Sequence, residues 1–156
     1  MEYVMDQATK SGVPEEDTYP YSPYSSYSGI CFASGIHCGY EEKNYYGMTD
    51  DEMIDLLQTR PIAVALASDN WSGYSSGTFS CAYGAAVDHA VVIVGYTPDY
   101  WIVKNQWGSS WGMNGYIYIT RDRNYNCQIG SGVYVMGESK LTFVFAALML
   151  LFALML

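Results

Sequence analysis

Basic residues are scarce in this sequence of 156 residues: seven lysines and arginines stand against sixteen aspartates and glutamates, giving a net charge of −9. A protein that binds nucleic acid needs a basic face to neutralise phosphates, and there are too few basic residues here to build one. Charged residues make up only 15% of the chain and apolar residues half of it, a balance that excludes general disorder. We therefore expect one folded domain, or one domain with a tail, that does not bind nucleic acid.

Metal-binding spacings are also absent. There is no Cys-x-x-Cys pair and there are only two histidines, His37 and His89, so no zinc site is predicted. The widely spaced cysteines, four in number, are instead typical of a disulfide framework in a protein of the secretory pathway. They are Cys31, Cys38, Cys81 and Cys127. The amino end has neither the basic start nor the apolar run of a signal peptide, so we expect that the sequence lacks the protein's beginning.

One helix is clearly marked. Thr49-Asp50-Asp51-Glu52 has the pattern of a capping box, and apolar residues at helical spacing follow it. Pro61 is expected to end this helix near Thr59, because proline disfavours the helical conformation in the residue before it. Residues 2–11 predict a shorter helix, and the Pro-, Gly- and Ser-rich residues 13–47 predict irregular chain.

After Pro61 the apolar pattern changes from that of a helix to that of strands. A loop rich in Ser, Gly and Tyr is expected over residues 68–77; within it, Asn70-Trp71-Ser72 is a weak three-residue match to a glycosylation sequon. The pattern indicates an α+β protein with short helices and a mostly antiparallel sheet. The predicted strands cover residues 62–67, 89–96, 100–104, 115–120 and 133–136.

The carboxyl-terminal segment Leu141–Leu156 carries no charge and is apolar apart from Thr142. As a helix it would be about 24 Å long, against a bilayer hydrocarbon core of about 30 Å. Three interpretations stay open: a short membrane anchor, a signal for GPI attachment, or an error in the gene prediction. Residues 137–156 are accordingly interpreted as a linker and hydrophobic segment, with membrane attachment as a hypothesis.

The chemistry-bearing residues cluster after residue 87. His89 opens an apolar strand, where an imidazole can be held rigidly and kept partly dry, as acid–base catalysis requires. Asn105 follows the next strand in a loop that also contains Trp107 and Trp111. An asparagine oxygen can fix the tautomer of a histidine, and an indole over that bond would exclude water. The plainer alternative is a strand-end histidine beside a packing loop rich in Gly and Trp.

Together these stretches resemble the papain-like cysteine peptidases, the family of the plant enzymes and the lysosomal cathepsins. Four segments match in order and spacing across roughly residues 1–136. They are Glu16–Tyr21, Val87–Tyr96, Lys104–Gly112 and Asn114–Ile117. The resemblance implies a partial papain-like fold over residues 1–136, in which the antiparallel, barrel-like sheet half is retained and most of the helical half is missing.

The resemblance also implies roles for individual residues. His89 would be the catalytic histidine, Asn105 the residue that orients it, Trp107 the shielding indole, and Trp111 a residue of the leaving-group side. Cys81 and Cys127 match the positions of a bridge in the sheet half. The small residues that would line the pocket for the second residue on the acyl side are Ala65, Ala90 and Gly132. No metal or organic cofactor is implied, and the substrate would be a peptide or protein.

Two departures from the family pattern matter. Gln106 stands where the family usually has serine. The family's Cys-Gly-Ser-Cys-Trp type segment, which holds the nucleophile, does not occur in the sequence, and neither does the glutamine that precedes it. Cys31 and Cys38 lie in loops and lack the helix start that acidifies a thiol, so neither is expected to replace the nucleophile. The chain as given is therefore predicted to be inactive alone.

Three interpretations follow. The chain is a fragment of a cysteine endopeptidase that needs its missing amino-terminal half, a nucleophile-less homologue that binds peptides or a partner, or a membrane-tethered structural remnant. The first is preferred because His89, Asn105 and Trp107 are all retained. The expected location is the secretory pathway, either lysosome-like or extracellular, with anchoring through the tail as a further hypothesis.

Overall fold

A computed structural model describes the backbone of residues 40–138 and the side chains of residues 44–135. Asn44–Val135 belong to one compact unit, and the site described below lies within it. The elements are β1 (Tyr40–Tyr45), α1 (Asp50–Leu57), β2 (Ile62–Leu66), a 3-10 turn (Trp71–Gly73), β3 (Thr78–Phe79), β4 (His89–Tyr96), β5 (Tyr100–Lys104), β6 (Tyr116–Thr120) and β7 (Gly132–Glu138). The predicted helix over residues 2–11 and the apolar segment Leu141–Leu156 lie outside the described residues.

Helix α1 begins as its sequence predicts. The backbone N–H of Glu52 donates to the Thr49 hydroxyl at 3.3 Å, and the backbone N–H of Thr49 donates to the Glu52 carboxylate at 2.8 Å. These two bonds complete the capping box and satisfy donors that have no partner inside the helix. Met53, the first apolar residue after the box, is fully buried and attaches the helix to the core.

The same bonds make the charge on Glu52 sensitive to Thr49. The backbone N–H and then the hydroxyl of Thr49 hold the pKa of Glu52 below its ordinary value of 4.5. A lowered carboxyl pKa contributes stability above the unfolded value, and that contribution is lost as the pH falls from about 4.5 through the lowered folded value. Thr49→Ala keeps the backbone donor and removes the hydroxyl, so the pKa of Glu52 should move part of the way back towards 4.5.

An NMR titration of the Glu52 carboxyl carbon measures this shift. Thr59→Ala is a matched control, because the Thr59 hydroxyl donates to the Leu56 carbonyl at the other end of α1. The control should leave the titration of Glu52 where it is in the unmodified protein. An unchanged pKa in Thr49→Ala would contradict the role given to the hydroxyl.

The strands form one seven-stranded sheet in the order β1-β7-β2-β4-β5-β6-β3. The five predicted strands are confirmed, with small differences at their ends. The prediction that residues 13–47 are wholly irregular was wrong, because β1 occupies Tyr40–Tyr45; its sequence is polar and charged and has no apolar alternation to mark it. The two-residue strand β3 was missed because it is too short to show a period, and it pairs with β6 in the parallel direction.

The core lies on one face of the sheet. In β2, Ile62, Val64 and Leu66 are fully buried, and the residues between them are half-buried, as expected for a strand with one face in the core. The same face carries Ile93 of β4 and Val103 of β5, which are cross-strand partners. This packing fixes the register of β4 and β5, and with it the ends of the strands from which the site is built.

Arg121 connects α1 to the turn of the β4–β5 hairpin. Its guanidinium donates to Asp50 at 3.0 Å and to the Thr97 carbonyl at 2.9 Å, and it lies 5.0 Å from the centre of the Trp101 ring. Trp101 itself is fully buried. Helix, hairpin turn and core are thus joined at the end of the hairpin that is remote from His89.

Within residues 40–138, no helix combines the length and the apolar character needed to cross a membrane.

Candidate active site

His89 is held at the first position of β4. It is paired with Leu66 of β2, and the backbone N–H of Asp88 donates to the Leu66 carbonyl at 3.0 Å. The Asp88 carboxylate in turn accepts from the backbone N–H of Ser68 at 2.9 Å and from its hydroxyl at 3.0 Å. The residues at the carboxyl end of β2 therefore fix the point from which the half-buried imidazole projects.

Asn105 lies immediately after β5 and is only 7% exposed. Its backbone N–H donates to the Gly115 carbonyl at 2.9 Å, so the residue is fixed between the end of β5 and the loop before β6. Its side-chain Oδ1 accepts from the backbone N–H of Gln106 at 2.9 Å and lies 3.0 Å from Nε2 of His89.

These contacts decide which imidazole nitrogen carries the proton. A backbone N–H can donate only to the oxygen of an amide, so the Gln106 N–H fixes the orientation of the Asn105 side chain. The same oxygen accepts but cannot donate, so Nε2 of His89 must be the donor across the 3.0 Å contact. A neutral His89 therefore carries its hydrogen on Nε2 and keeps the lone pair of Nδ1 free for acid–base chemistry.

The β4–β5 hairpin brings the two side chains together, as its turn at Thr97–Asp99 predicts. The pairing runs from Tyr96–Trp101 at the turn to Val92–Lys104 at the far end, with an irregularity between Ile93 and Gly95. Continuing this register past Lys104 would place Asn105 opposite Val91, which makes it a diagonal neighbour of His89. Diagonal side chains are within reach of each other in an antiparallel pair, so the amide and the imidazole meet.

Two indoles pack against the imidazole, and a third packs on both of them. The Trp107 ring is 5.3 Å from that of His89, tilted by 38°, and remains 41% exposed. Trp111 packs on Trp107 with ring centres 5.1 Å apart, so the two predicted indoles both belong to the cluster. The other indole against the imidazole, Trp71, lies 5.5 Å from it with its ring plane at 90° to that of His89. Trp71 was missed in the sequence, where its loop offered no periodicity and its only motif was the weak sequon.

The three small residues predicted to line a pocket form a continuous row across the sheet. Ala65 of β2 is paired with Ala90 of β4 on one side and with Gly132 of β7 on the other. Gly132 is buried, and a β-carbon there would lie 3.5 Å from that of Ala65 and 3.4 Å from the Tyr134 hydroxyl, so a larger residue would crowd Tyr134. A cleft of about 350 Å³ continues the row over Ala90 towards Asn105.

Cys81 and Cys127 form a disulfide, with an S–S distance of 2.09 Å and both side chains buried. The Cys127 carbonyl accepts from the backbone N–H of Ala67 at 2.8 Å. The bridge therefore supports the segment that leaves β2 and carries Ser68, the partner of Asp88. The other two cysteines, Cys31 and Cys38, lie outside the described residues.

Proton transfer is the chemistry that this arrangement can perform. One nitrogen of His89 is tied to Asn105, and the other is free to accept or donate a proton. Within residues 44–135 no free thiol is present, because both cysteines of that range are in the bridge. The same described range holds no group of three or more His, Cys, Asp or Glu side chains placed to bind a metal ion.

Comparison with known proteins gives the family of this chain. Residues 1–136 match the model of the family described as papain family cysteine protease. The chain is 38% identical over 122 residues to fruit bromelain from Ananas comosus, covering 72% of this chain and 34% of that protein. It is 34% identical over 153 residues to procathepsin L from Felis catus, covering 83% of this chain and 42% of that protein. The chain thus spans less than half the length of these two curated relatives.

Solved structures resemble the fold as well. The procathepsin L2 proteinase from the larval midgut of Tenebrio molitor has a TM-score of 0.72 at 28% identity, covering 86% of this chain and 45% of that one. The bromelain protease from Ananas comosus, solved in complex with the inhibitor E64, has a TM-score of 0.65 at 28% identity. That match covers 88% of this chain and 67% of the bromelain chain.

Proposed function

Because the chain belongs to the papain family of cysteine proteases, we propose that it supplies the acid–base half of a peptidase active site, with His89 as the catalytic base and acid. The observation that carries this proposal is the 3.0 Å contact between Nε2 of His89 and Oδ1 of Asn105, with the amide orientation set by the Gln106 N–H. This arrangement holds one imidazole nitrogen and leaves the other, Nδ1, for a reacting group.

The reaction that fits this geometry is hydrolysis of a peptide bond through a thioester. A cysteine thiolate, paired with protonated His89, attacks the peptide carbonyl, and His89 then gives its proton to the leaving amine. His89 next takes a proton from water, and the resulting attack on the thioester releases the acyl product. Asn105 accepts a hydrogen bond from Nε2 in both protonation states, so the ring keeps its orientation throughout the cycle.

Trp107 and Trp111 have supporting roles in this proposal. Trp107 lies against the imidazole, where its indole limits the access of water to the bond between His89 and Asn105. A hydrogen bond that is shielded from water is stronger than an exposed one, because the local dielectric constant is lower. Trp111 packs on the indole of Trp107 and would line the side from which the amine product leaves.

We propose peptides or proteins as substrates, bound over the row formed by Ala65, Ala90 and Gly132. A row with no side chain larger than a methyl group leaves room for a large apolar substrate side chain. The buried disulfide supports a location in the secretory pathway, where such bridges form and persist. Residues 1–136 would form the peptidase part, with residues 137–156 as a separate linker and apolar segment.

The nucleophile is proposed to come from outside this sequence. Its 156 residues contain no Cys-Gly-Ser-Cys-Trp type segment, and Cys81 and Cys127 are bridged. The chain alone should therefore not react with a thiol-directed epoxide of the E64 class, the inhibitor bound by the bromelain relative. Mass spectrometry after incubation should find no adduct. An adduct on Cys31 or Cys38 that disappears in His89→Ala would overturn this expectation.

A hybrid protein tests the function directly. The nucleophile-bearing segment of a papain-family relative, placed before residue 1, should restore hydrolysis of a fluorogenic peptide. The same hybrid with its nucleophilic cysteine changed to serine is the matched control and should be inactive. A hybrid that folds, binds peptide and hydrolyses nothing would instead favour a nucleophile-less binding module, the alternative function for this chain.

A further inference from the structure

Trp71 is fully buried although it lies in a loop, within the single 3-10 turn between β2 and β3. Its ring is 6.0 Å from that of Trp111 and nearly parallel to it, and 6.2 Å from that of Trp107. Its backbone carbonyl accepts a hydrogen bond from the Trp111 indole at 3.0 Å. Trp71 is therefore fixed by its own burial, and its carbonyl also holds the indole of Trp111 in place.

The imidazole of His89 needs more than one contact to be held in place. The hydrogen bond from Nε2 to Asn105 fixes one direction, but it leaves the ring free to turn about that bond. Such a rotation moves Nδ1, the nitrogen that must face the reacting group. A ring packed against the imidazole restricts this rotation, and Trp71 lies 5.5 Å away with its ring plane perpendicular to that of His89.

Trp107 is less suited to this task. Its ring is tilted by 38° to the imidazole and is 41% exposed, so it has open space into which it can move. Trp71 has none, because its side chain is 0% exposed in a closely packed core. Of the two described indoles that contact His89, Trp71 therefore has the less freedom to move.

We propose that Trp71 is a positioning residue for His89, which fixes the plane of the imidazole so that Nε2 stays on Asn105 and Nδ1 stays on the open side. This inference rests on the proposed acid–base role of His89 and deepens it. The plain alternative is that Trp71 only fills the core. In that case its replacement would lower stability without changing the imidazole in molecules that remain folded.

Nitrogen-15 NMR of the imidazoles separates these alternatives in the full chain. The sequence has only two histidines, and His37→Gln assigns the signals of His89. The unmodified protein should show the Nε2–H tautomer of His89, a slowly exchanging Nε2 proton and nuclear Overhauser contacts to the Trp71 ring. Trp71→Met, which keeps an apolar side chain but removes the ring, should speed exchange of that proton roughly tenfold or more. Trp71→Phe, which restores a ring, should recover slow exchange.

Trp101→Met is the matched control. Trp101 is also fully buried, but it lies at the hairpin end next to Arg121, remote from His89. Its replacement should cost stability and leave the signals of His89 unchanged. Equal imidazole signals in Trp71→Met and Trp101→Met would overturn the proposal. If Trp71→Met does not fold, another measurement replaces it as the test. In that case the nuclear Overhauser contacts between His89 and the Trp71 ring are measured in the unmodified protein, and their absence would overturn the proposal.

The outcome distinguishes this inference from the proposed function. If Asn105→Ala leaves the exchange of the Nε2 proton unchanged, the bond that carries the proposed function is absent, and both proposals fail. If Asn105→Ala speeds exchange and Trp71→Met does not, only the role of Trp71 is wrong.

Discussion

Replacing Cys81 and Cys127 together with alanine should lower the free energy of unfolding by about 4 kcal/mol. The bridge joins residues 46 positions apart, and a cross-link over a loop of this length removes many conformations from the unfolded chain. Urea unfolding of the variant and the unmodified protein, both without reductant, measures the difference. A domain of this size has a total stability of about 5–15 kcal/mol, so the loss is a large part of it.

Reductant supplies the control for this prediction. Once the bridge of the unmodified protein is reduced, its stability should approach that of the variant, because both unfolded chains are then open. A difference of the same size with and without reductant would show that packing of the two sulfurs matters, and that the cross-link does not. The variant should also exchange the amide proton of Ala67 faster, since that proton donates to the Cys127 carbonyl.

In the active hybrid, His89→Ala should reduce kcat/KM for a fluorogenic peptide by roughly 10²–10⁴. The imidazole has two duties, deprotonating the thiol and protonating the leaving amine, and alanine can perform neither. His37→Ala is the matched control: it removes the only other histidine of the sequence and should leave the rate unchanged. Steady-state kinetics at saturating and limiting substrate separate a loss in kcat from a loss in binding.

Asn105→Ala in the same hybrid should cost less, roughly 10–100-fold, because Asn105 orients the imidazole and transfers no proton. The losses from His89→Ala and Asn105→Ala should not add in the double variant, since Asn105 acts through His89. Additive losses, or full activity in His89→Ala, would contradict the assignment of acid–base chemistry to His89.

Local sequence was sufficient to predict those helices and strands that are specified by residues close together in the chain. The capping box places Thr49 and Glu52 three residues apart, so the start of α1 needed no information from the rest of the chain. The buried alternation of Ile62, Val64 and Leu66 follows from the two-residue period of a strand and the apolar residues at those positions. The order of motifs was also enough to reveal the resemblance to the papain family, which the family model bears out.

Elements that depend on distant partners could not be obtained in this way. Strand β1 is polar and charged, and it is a strand because the sheet provides a partner for its backbone, which its side chains do not reveal. The two residues of β3 are paired with β6, forty residues away in sequence, and a two-residue strand has no period. Both are strands by virtue of backbone hydrogen bonds to other strands.

The site shows the same division between sequence and tertiary structure. The sequence by itself determined that a histidine begins a buried strand and that an asparagine and two indoles follow the next one. Only the tertiary structure decided that Oδ1 of Asn105 faces Nε2 of His89, because the side-chain orientation depends on the Gln106 N–H and on the register of the hairpin. It also decided that Trp71 packs against the imidazole: burial depends on what surrounds a residue in space, and in the sequence its neighbours are polar.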